Sequence, residues 1–257
     1  AGFAFELGAE KFFDINCRYG GFAPSATVLV ATLRALKMHG GVPIAKVSEP
    51  DAAAVERGIA NLEKHVENIR KFEQPCVVAI NHFPTDTDEE TEVVTRRCAA
   101  LGITAVPARP FSEGGQGCRA LADVVWSLAQ GQAAHFRPLY EWSDSIEKKI
   151  HTVAHEMYGA EAVDYQLRAK RDRVQLEKLG YGGLPICIAK TQQSLSDNPA
   201  LLGRPKDFLV TVREIQLAAG AGYLVPITGE ILRMPGLPVE PLAERFDLAA
   251  DGSIVTG

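Results

Sequence analysis

The strongest periodicity in the chain lies between Ala52 and Phe72. Val55, Ile59, Leu62, Val66, Ile69 and Phe72 recur at steps of four, three, four, three and three, one face of a 3.6-residue repeat. Glu56, Arg57, Glu63, Lys64, Glu67 and Arg70 occupy the opposite face. The spacing predicts an amphipathic helix, with Ser48, Pro50 and Asp51 as start signals. Each apolar side chain contributes roughly 1.5–3 kcal/mol if fully buried, before the entropy of ordering it. His65 lies near the apolar face and reads as structural.

Two short apolar runs flank this helix. Ala26–Ala31 (ATVLVA) and Cys76–Ile80 (CVVAI) are both entered near a proline and predict buried parallel strands. After the second run, Thr87 and Glu90 have capping-box spacing ahead of a helix to Leu101, and Gly102 stands where a helix is stopped. Ile103–Val106 reads as a short strand, Pro107–Gly117 as a loop, and Leu121, Val124, Val125 and Leu128 as one helix face. This alternation predicts an α/β fold with a parallel, helix-covered sheet. Further on, Trp142–Ser145 opens a helix bearing Ile146, Ile150, Val153 and Met157. Ala160–Leu179 is charged and reads as helical. Pro185–Ala189, Phe208–Val212 and Tyr223–Ile227 read as strands, and a proline-rich tail from Pro235 as surface loop.

Composition narrows the function classes. The 257 residues are 46% hydrophobic and 23% charged, ordinary for a globular protein of one or two domains. A net charge of −5 argues against nucleic-acid and anionic-membrane partners. The longest apolar candidate, Ala26–Ala35, is interrupted by Thr32 and Arg34 and falls short of the roughly 18 residues of a spanning helix. Five scattered cysteines without a C-x-x-C suit reduced thiols in the cytoplasm, with Cys76 and Cys187 as small core residues. His151 and His155 are four apart but lack a third ligand at sensible spacing, so no metal site is expected.

In a parallel α/β sheet, ligands collect beyond the C-terminal ends of the strands. Three stretches qualify. Arg34, Lys37 and His39 follow the first strand and could present a cationic patch to phosphate; the competing reading is a solvated helix face closed by a glycine cap. Phe83 and Pro84 follow the second strand and offer a flat apolar wall; the competing reading is a turn residue tucked into the core. Phe111-Ser-Glu-Gly-Gly-Gln-Gly117 would let backbone approach a ligand closely, or simply connect two elements. It is not a Walker A loop, because no G-K-[ST] follows.

Val30–Gly41 reads VATLRALKMHGG. It is similar, at every fixed position, to the V-A-T-x-R-A-L-K-x-H-G-G signature of formate–tetrahydrofolate ligases (10-formyltetrahydrofolate synthetases). Leu7–Phe12, Asn81–Thr87, Tyr158–Ala160, Leu184–Thr191, Pro226–Gly229 and Met234–Pro238 also resemble family segments, in family order. The resemblance implies the C-terminal portion of a P-loop-type ligase: an α/β protein of parallel-sheet three-layer units with two smaller α/β domains. Its expected divisions are 1–62, a residual edge of the nucleotide-binding domain; 63–142, a folate-binding α/β domain; and 143–257, a C-terminal α/β domain. The implied reaction is ATP-dependent formylation of tetrahydrofolate by formate through formyl phosphate, with Mg2+ accompanying ATP, a monovalent cation as activator, and a homo-oligomeric enzyme. The resemblance places the pterin between Phe83 with Pro84 on one side and Phe111 on the other, and leaves Arg34, Lys37 and His39 as phosphate-side candidates.

The sequence also departs from the family. Phe111 stands where the family pattern W-x-x-G-G-x-G has tryptophan, which implies weaker folate binding. Gly2-Phe3-Ala4-Phe5-Glu6 replaces G-F-G-A-D, crowding a close-approach loop. The family's glycine-rich phosphate loop and most of its catalytic residues belong to an N-terminal half with no counterpart here. Both ends therefore read as cut, and the chain is expected to be inactive alone. Alternatives are a non-catalytic folate-binding or interaction module, and an unrelated α/β binding domain.

Overall fold

The structure is a computed structural model and describes residues 4–131, 134–231 and 239–256. Gly2, Phe3 and the family-like segment Met234–Pro238 lie outside the described residues. Helix α1 (Phe5–Lys11) continues as a π-helical stretch, Phe12–Cys17, and a last turn, α2 (Arg18–Gly20). Strand β1 (Thr27–Ala31), helix α3 (Leu33–His39), helix α4 (Ala52–Lys71), strand β2 (Cys76–Asn81), helix α5 (Asp88–Ala100) and strand β3 (Ala105–Ala108) follow. The strands form one parallel sheet in the order β1-β2-β3, with Leu29 opposite Val78 and Ile80 opposite Pro107.

Local signals account for much of this unit. Asp51 caps α4, its side chain accepting from the Ala54 N–H at 2.8 Å. The reciprocal capping box of Thr87 and Glu90 opens α5, and Gly102 takes φ +69° just past its end. Val55, Ile59, Leu62, Val66 and Ile69 of α4 pack with Leu29, Val78, Ile80 and Val94 into one core. Consecutive residues Val77, Val78, Ala79 and Ile80 of β2 are all buried, as a strand covered on both faces requires. The strand β1 was expected to be buried, but it is an edge. It pairs only with β2 among the described residues, and its burial alternates: Leu29 and Ala31 are buried while Val28 and Val30, at 62% for Val30, are exposed, so one face of β1 is uncovered. β3 begins two residues later than its apolar run suggests, because its pairing starts opposite Val78. The expected division at 62/63 falls inside the continuous helix α4, and β1 pairs with β2 across it.

One glycine sets a helix spacing. Gly58 sits mid-helix in α4, where glycine costs about 1 kcal/mol relative to alanine. A Cβ there would lie 1.9 Å from the Leu36 carbonyl oxygen of α3. The missing side chain lets α3 lie directly on α4.

After β3 come the short helix α6 (Pro110–Glu113) and helix α7 (Arg119–Gly131), no residue of which is fully buried. Ser145 caps α8 (Ile146–Val153), which continues into a π-helical turn, Ala154–Tyr158. Ala160–Leu179 departs from the sequence expectation of a single helix. Ala162–Tyr165 is strand β4, followed by α9 (Leu167–Lys178). β4 pairs in parallel with β5 (Leu209–Ala218), and β5 pairs antiparallel with β6 (Tyr223–Thr228). Pro185–Ala189 makes only two isolated bridges, Ile186 with Leu224 and Ala189 with Ile227, rather than a strand. The tail contains a hairpin of β7 (Phe246–Leu248) and β8 (Ile254–Thr256) instead of loop alone. Cys17 and Cys98 are buried, whereas Cys76 and Cys187 are half-buried, Cys76 packing against the edge of the first core.

The two cores meet at aromatic side chains. Phe72, just past α4, joins the second core and stacks on Phe13 with ring centroids 4.5 Å apart. Phe5 packs against both cores.

Candidate functional site

The parallel pairing sends all three candidate stretches out of the same end of one sheet. Ala31 leads through Thr32 into α3, Asn81 leads into the Phe83 turn, and Ala108 leads into α6. Thr32 caps α3 by accepting from the Ala35 N–H at 3.1 Å, which sets Arg34 in the first turn. The His82 N–H donates to the Ala108 carbonyl at 2.9 Å and ties the second and third exits together.

Phe83 and Arg34 meet. The guanidinium carbon of Arg34 lies 4.0 Å from the Phe83 ring centroid. Arg34 Nη2 donates weakly to Thr85 Oγ1 at 3.4 Å. The turn carrying Phe83 is closed by Asp86, whose Oδ2 accepts from the Phe83 N–H at 2.9 Å while its own N–H donates to the Phe83 carbonyl at 3.0 Å. Pro84 is exposed beside this ring. Phe111 is 86% exposed on α6, and no ring contact joins it to Phe83 among the described residues. Its loop is closed by the Arg109 N–H donating to the Gly117 carbonyl at 3.0 Å. A Cβ on Gly117 would meet the Arg109 carbonyl oxygen at 2.4 Å, so that glycine serves the loop's own closure.

The structure separates Lys37 and His39 from the arginine. The Lys37 ammonium is fully buried, donating to Glu90 Oε1 at 2.8 Å and to the Glu49 carbonyl at 2.9 Å. Glu90 also accepts from the Asp51 and Thr87 N–H groups, each at 2.9 Å. Burial raises the Glu90 carboxyl, but the Asp51, Lys37 and Thr87 hydrogen bonds outweigh it and hold the group below the usual carboxylate range. The charge of Lys37 is thus neutralised inside the fold. Glu90 was legible as a local cap. Its second role depends on a contact across 53 residues that no short-range pattern encodes.

His39 Nδ1 accepts from the Gly203 N–H at 3.1 Å. Burial, reinforced by nearby His65, pushes its pKa down to about 4, although Glu6 opposes the shift. His39 is therefore neutral at neutral pH. Its folded value lies below the ordinary 6.5, so its stabilisation is intact above about pH 6.5 and is lost as pH falls toward 4. Urea denaturation across this window should show that loss, and His39→Gln should flatten it.

A cavity of about 500 Å³ lies alongside β1, lined by Glu6, His39, Asn61, His65, Gln192 and Ser194 among apolar neighbours that include Val28 and Val30. Glu6 Oε1 is 3.3 Å from the buried Lys190 ammonium, and Glu6 Oε2 is 3.8 Å from His65 Nδ1. Glu6 lies in the segment that departs from G-F-G-A-D and Lys190 in the family-like Leu184–Thr191, but neither sits in a periodic pattern that marks it as a site residue. Among the described residues no group of three or more His, Cys, Asp or Glu is placed to hold a metal ion. No helix among them is long and apolar enough to cross a membrane.

Comparison with known proteins agrees with these segments. A family model described as "Formate--tetrahydrofolate ligase" matches residues 1–257. A protein of Syntrophus aciditrophicus (strain SB) named "Formate--tetrahydrofolate ligase" is 52% identical over 254 residues, which cover 99% of this chain and 45% of that relative. The chain thus spans a little under half the length of the curated relative it matches. A match along every residue, together with the signature running from β1 through α3, places this chain in the formate–tetrahydrofolate ligase family.

Proposed function

We propose that this chain is the folate-side part of an enzyme that formylates tetrahydrofolate with formate and ATP. In the proposed reaction ATP phosphorylates formate, the N10 amine of tetrahydrofolate attacks the formyl carbon, and phosphate leaves. The observation that carries the assignment is the Phe83 ring at the C-terminal end of a parallel strand, backed by Arg34 at 4.0 Å. Phe83 and Pro84 form one wall for a flat pterin. Phe111, exposed on α6, is the second wall, and Arg34 supports the first through its contact with the Phe83 ring.

The residues of this chain do not fit ATP and its Mg2+. The sequence has no G-K-[ST] phosphate loop, and Lys37 is sealed against Glu90. The proposal therefore places nucleotide, Mg2+ and monovalent-cation binding in the portion of the relatives that this chain does not span, and assigns no step through them to these residues. The parent enzyme is proposed to be a cytoplasmic homo-oligomer.

Isothermal titration with tetrahydrofolate tests the site. Saturable binding by the wild-type chain is expected, and Phe83→Ala should weaken it about tenfold, from lost stacking plus lost apolar contact. Unchanged affinity in Phe83→Ala refutes the stacking role. Absence of binding by the wild type refutes the folate-side reading.

A further inference from the structure

The contact between Arg34 and Phe83 points beyond the aromatic wall itself. We infer that Arg34 is a positioning residue: it occupies one face of the Phe83 ring, so that a planar pterin stacks only on the other. This rests on the folate reading above.

The guanidinium has few other partners. Its hydrogen bond to Thr85 is long at 3.4 Å, and Nε is shielded from solvent with no hydrogen-bond partner among the described residues. Shielding an N–H of a cation without an acceptor is unfavourable unless something else compensates. The aromatic face 4.0 Å away is that compensation, a cation–π contact of the kind arginine makes over a ring.

The partners on both sides of this contact are held. Arg34 belongs to α3, which is capped by Thr32 and pressed onto α4 at Gly58. Lys37, one turn further along α3, is bonded to Glu90 of α5, the helix that follows the Phe83 turn directly. Phe83 is held through its own N–H by Asp86. The ring is thereby restrained at its backbone and on one face. A half-buried ring with one face already taken presents a single stacking geometry and has less rotamer freedom to lose when a ligand arrives.

A double-mutant cycle on tetrahydrofolate affinity, read beside thermal unfolding, tests this. Arg34→Met should weaken binding about fivefold, with a thermal midpoint close to wild type. Arg34→Lys, which keeps the charge but not the plane, should fall between the two. In a Phe83→Leu background, Arg34→Met should have no further effect, because the residue through which it acts is gone. Wild-type affinity in Arg34→Met overturns the inference and leaves the folate reading standing. An undiminished Arg34→Met effect in the Phe83→Leu background also overturns it, since Arg34 would then touch the ligand directly. A wild-type chain that binds no tetrahydrofolate overturns the folate reading and this inference together.

Discussion

Lys37→Met should destabilise this protein by about 3–5 kcal/mol, the range for removing one partner of a buried ion pair. Both side chains are inaccessible to solvent and their charges lie 2.8 Å apart. Methionine matches the length of the lysine stem, so cavity formation contributes little and the loss reports Glu90 left charged and unpaired. The Asp51 and Thr87 N–H groups still hold the carboxylate, which softens the loss without replacing the cation. Adding Glu90→Gln should recover part of the stability by removing the stranded charge, but only part, because its single amide oxygen can accept from one of the Asp51 and Thr87 N–H groups, which bond to different carboxylate oxygens. Chemical denaturation of the single and double variants checks this; a loss below about 1 kcal/mol for Lys37→Met would mean the pair is not the tie the geometry suggests. Glu90 has a depressed folded pKa, so its stabilisation is present above the ordinary carboxylate range and disappears as pH falls through the folded value. The pair matters to the site because it joins the helix carrying Arg34 to the helix that follows Phe83.

Lys149→Met is expected to cost about 2–4 kcal/mol, through a different mechanism. Lys149 is fully buried, and its ammonium donates to three carbonyl oxygens, those of Trp142 at 3.1 Å, Gly182 at 2.7 Å and Leu184 at 2.7 Å. Burial pushes its pKa down to about 8, opposed by Asp144 and reinforced by Arg18. The amine acts as a bracket between α8, the segment ahead of it and the 182–184 turn. Methionine fills much the same volume but leaves three acceptors unmet in a partly closed site. Replacing a buried charge by an apolar group offsets part of that loss, which is why the estimate stays below the sum over three bonds. A shift in the urea midpoint at constant slope is the expected signature. An unchanged midpoint would show that water reaches these carbonyls and substitutes for the amine.

The two halves of the chain differ in how readily they could be read. In the first, apolar steps along α4, the Asp51 cap, the Thr87–Glu90 box and Gly102 are all local signals, and each lies within a few residues of what it specifies. In the second, Ala162–Tyr165 is only four residues long and runs into a charged helix, so periodicity had nothing to distinguish it. It is a strand because Leu209–Val212, more than forty residues away, pairs with it. Pro185–Ala189 shows the converse: an apolar run with strand character that lies along the other edge of β6 but is bridged to it only at Ile186 and Ala189, so its extent depends on that neighbour and not on its own pattern.

The site divides in the same way. Phe83, Pro84 and Arg34 could be singled out because each follows a strand whose C-terminal end faces outward, and because the signature from Val30 to Gly41 is contiguous in sequence. Short-range chemistry was therefore enough to point to the family and to most elements of the first sheet unit, and to single out Phe83 and Pro84 as a candidate wall. Whether a charged residue serves a ligand or the fold is a question of what lies across from it in space. Arg34 and Lys37 are neighbours on one short helix with the same charge, yet one lies over a ring and the other against Glu90. That outcome depends on helix orientation and on partners about fifty residues distant, which only the packed chain brings within the few ångströms where such interactions act.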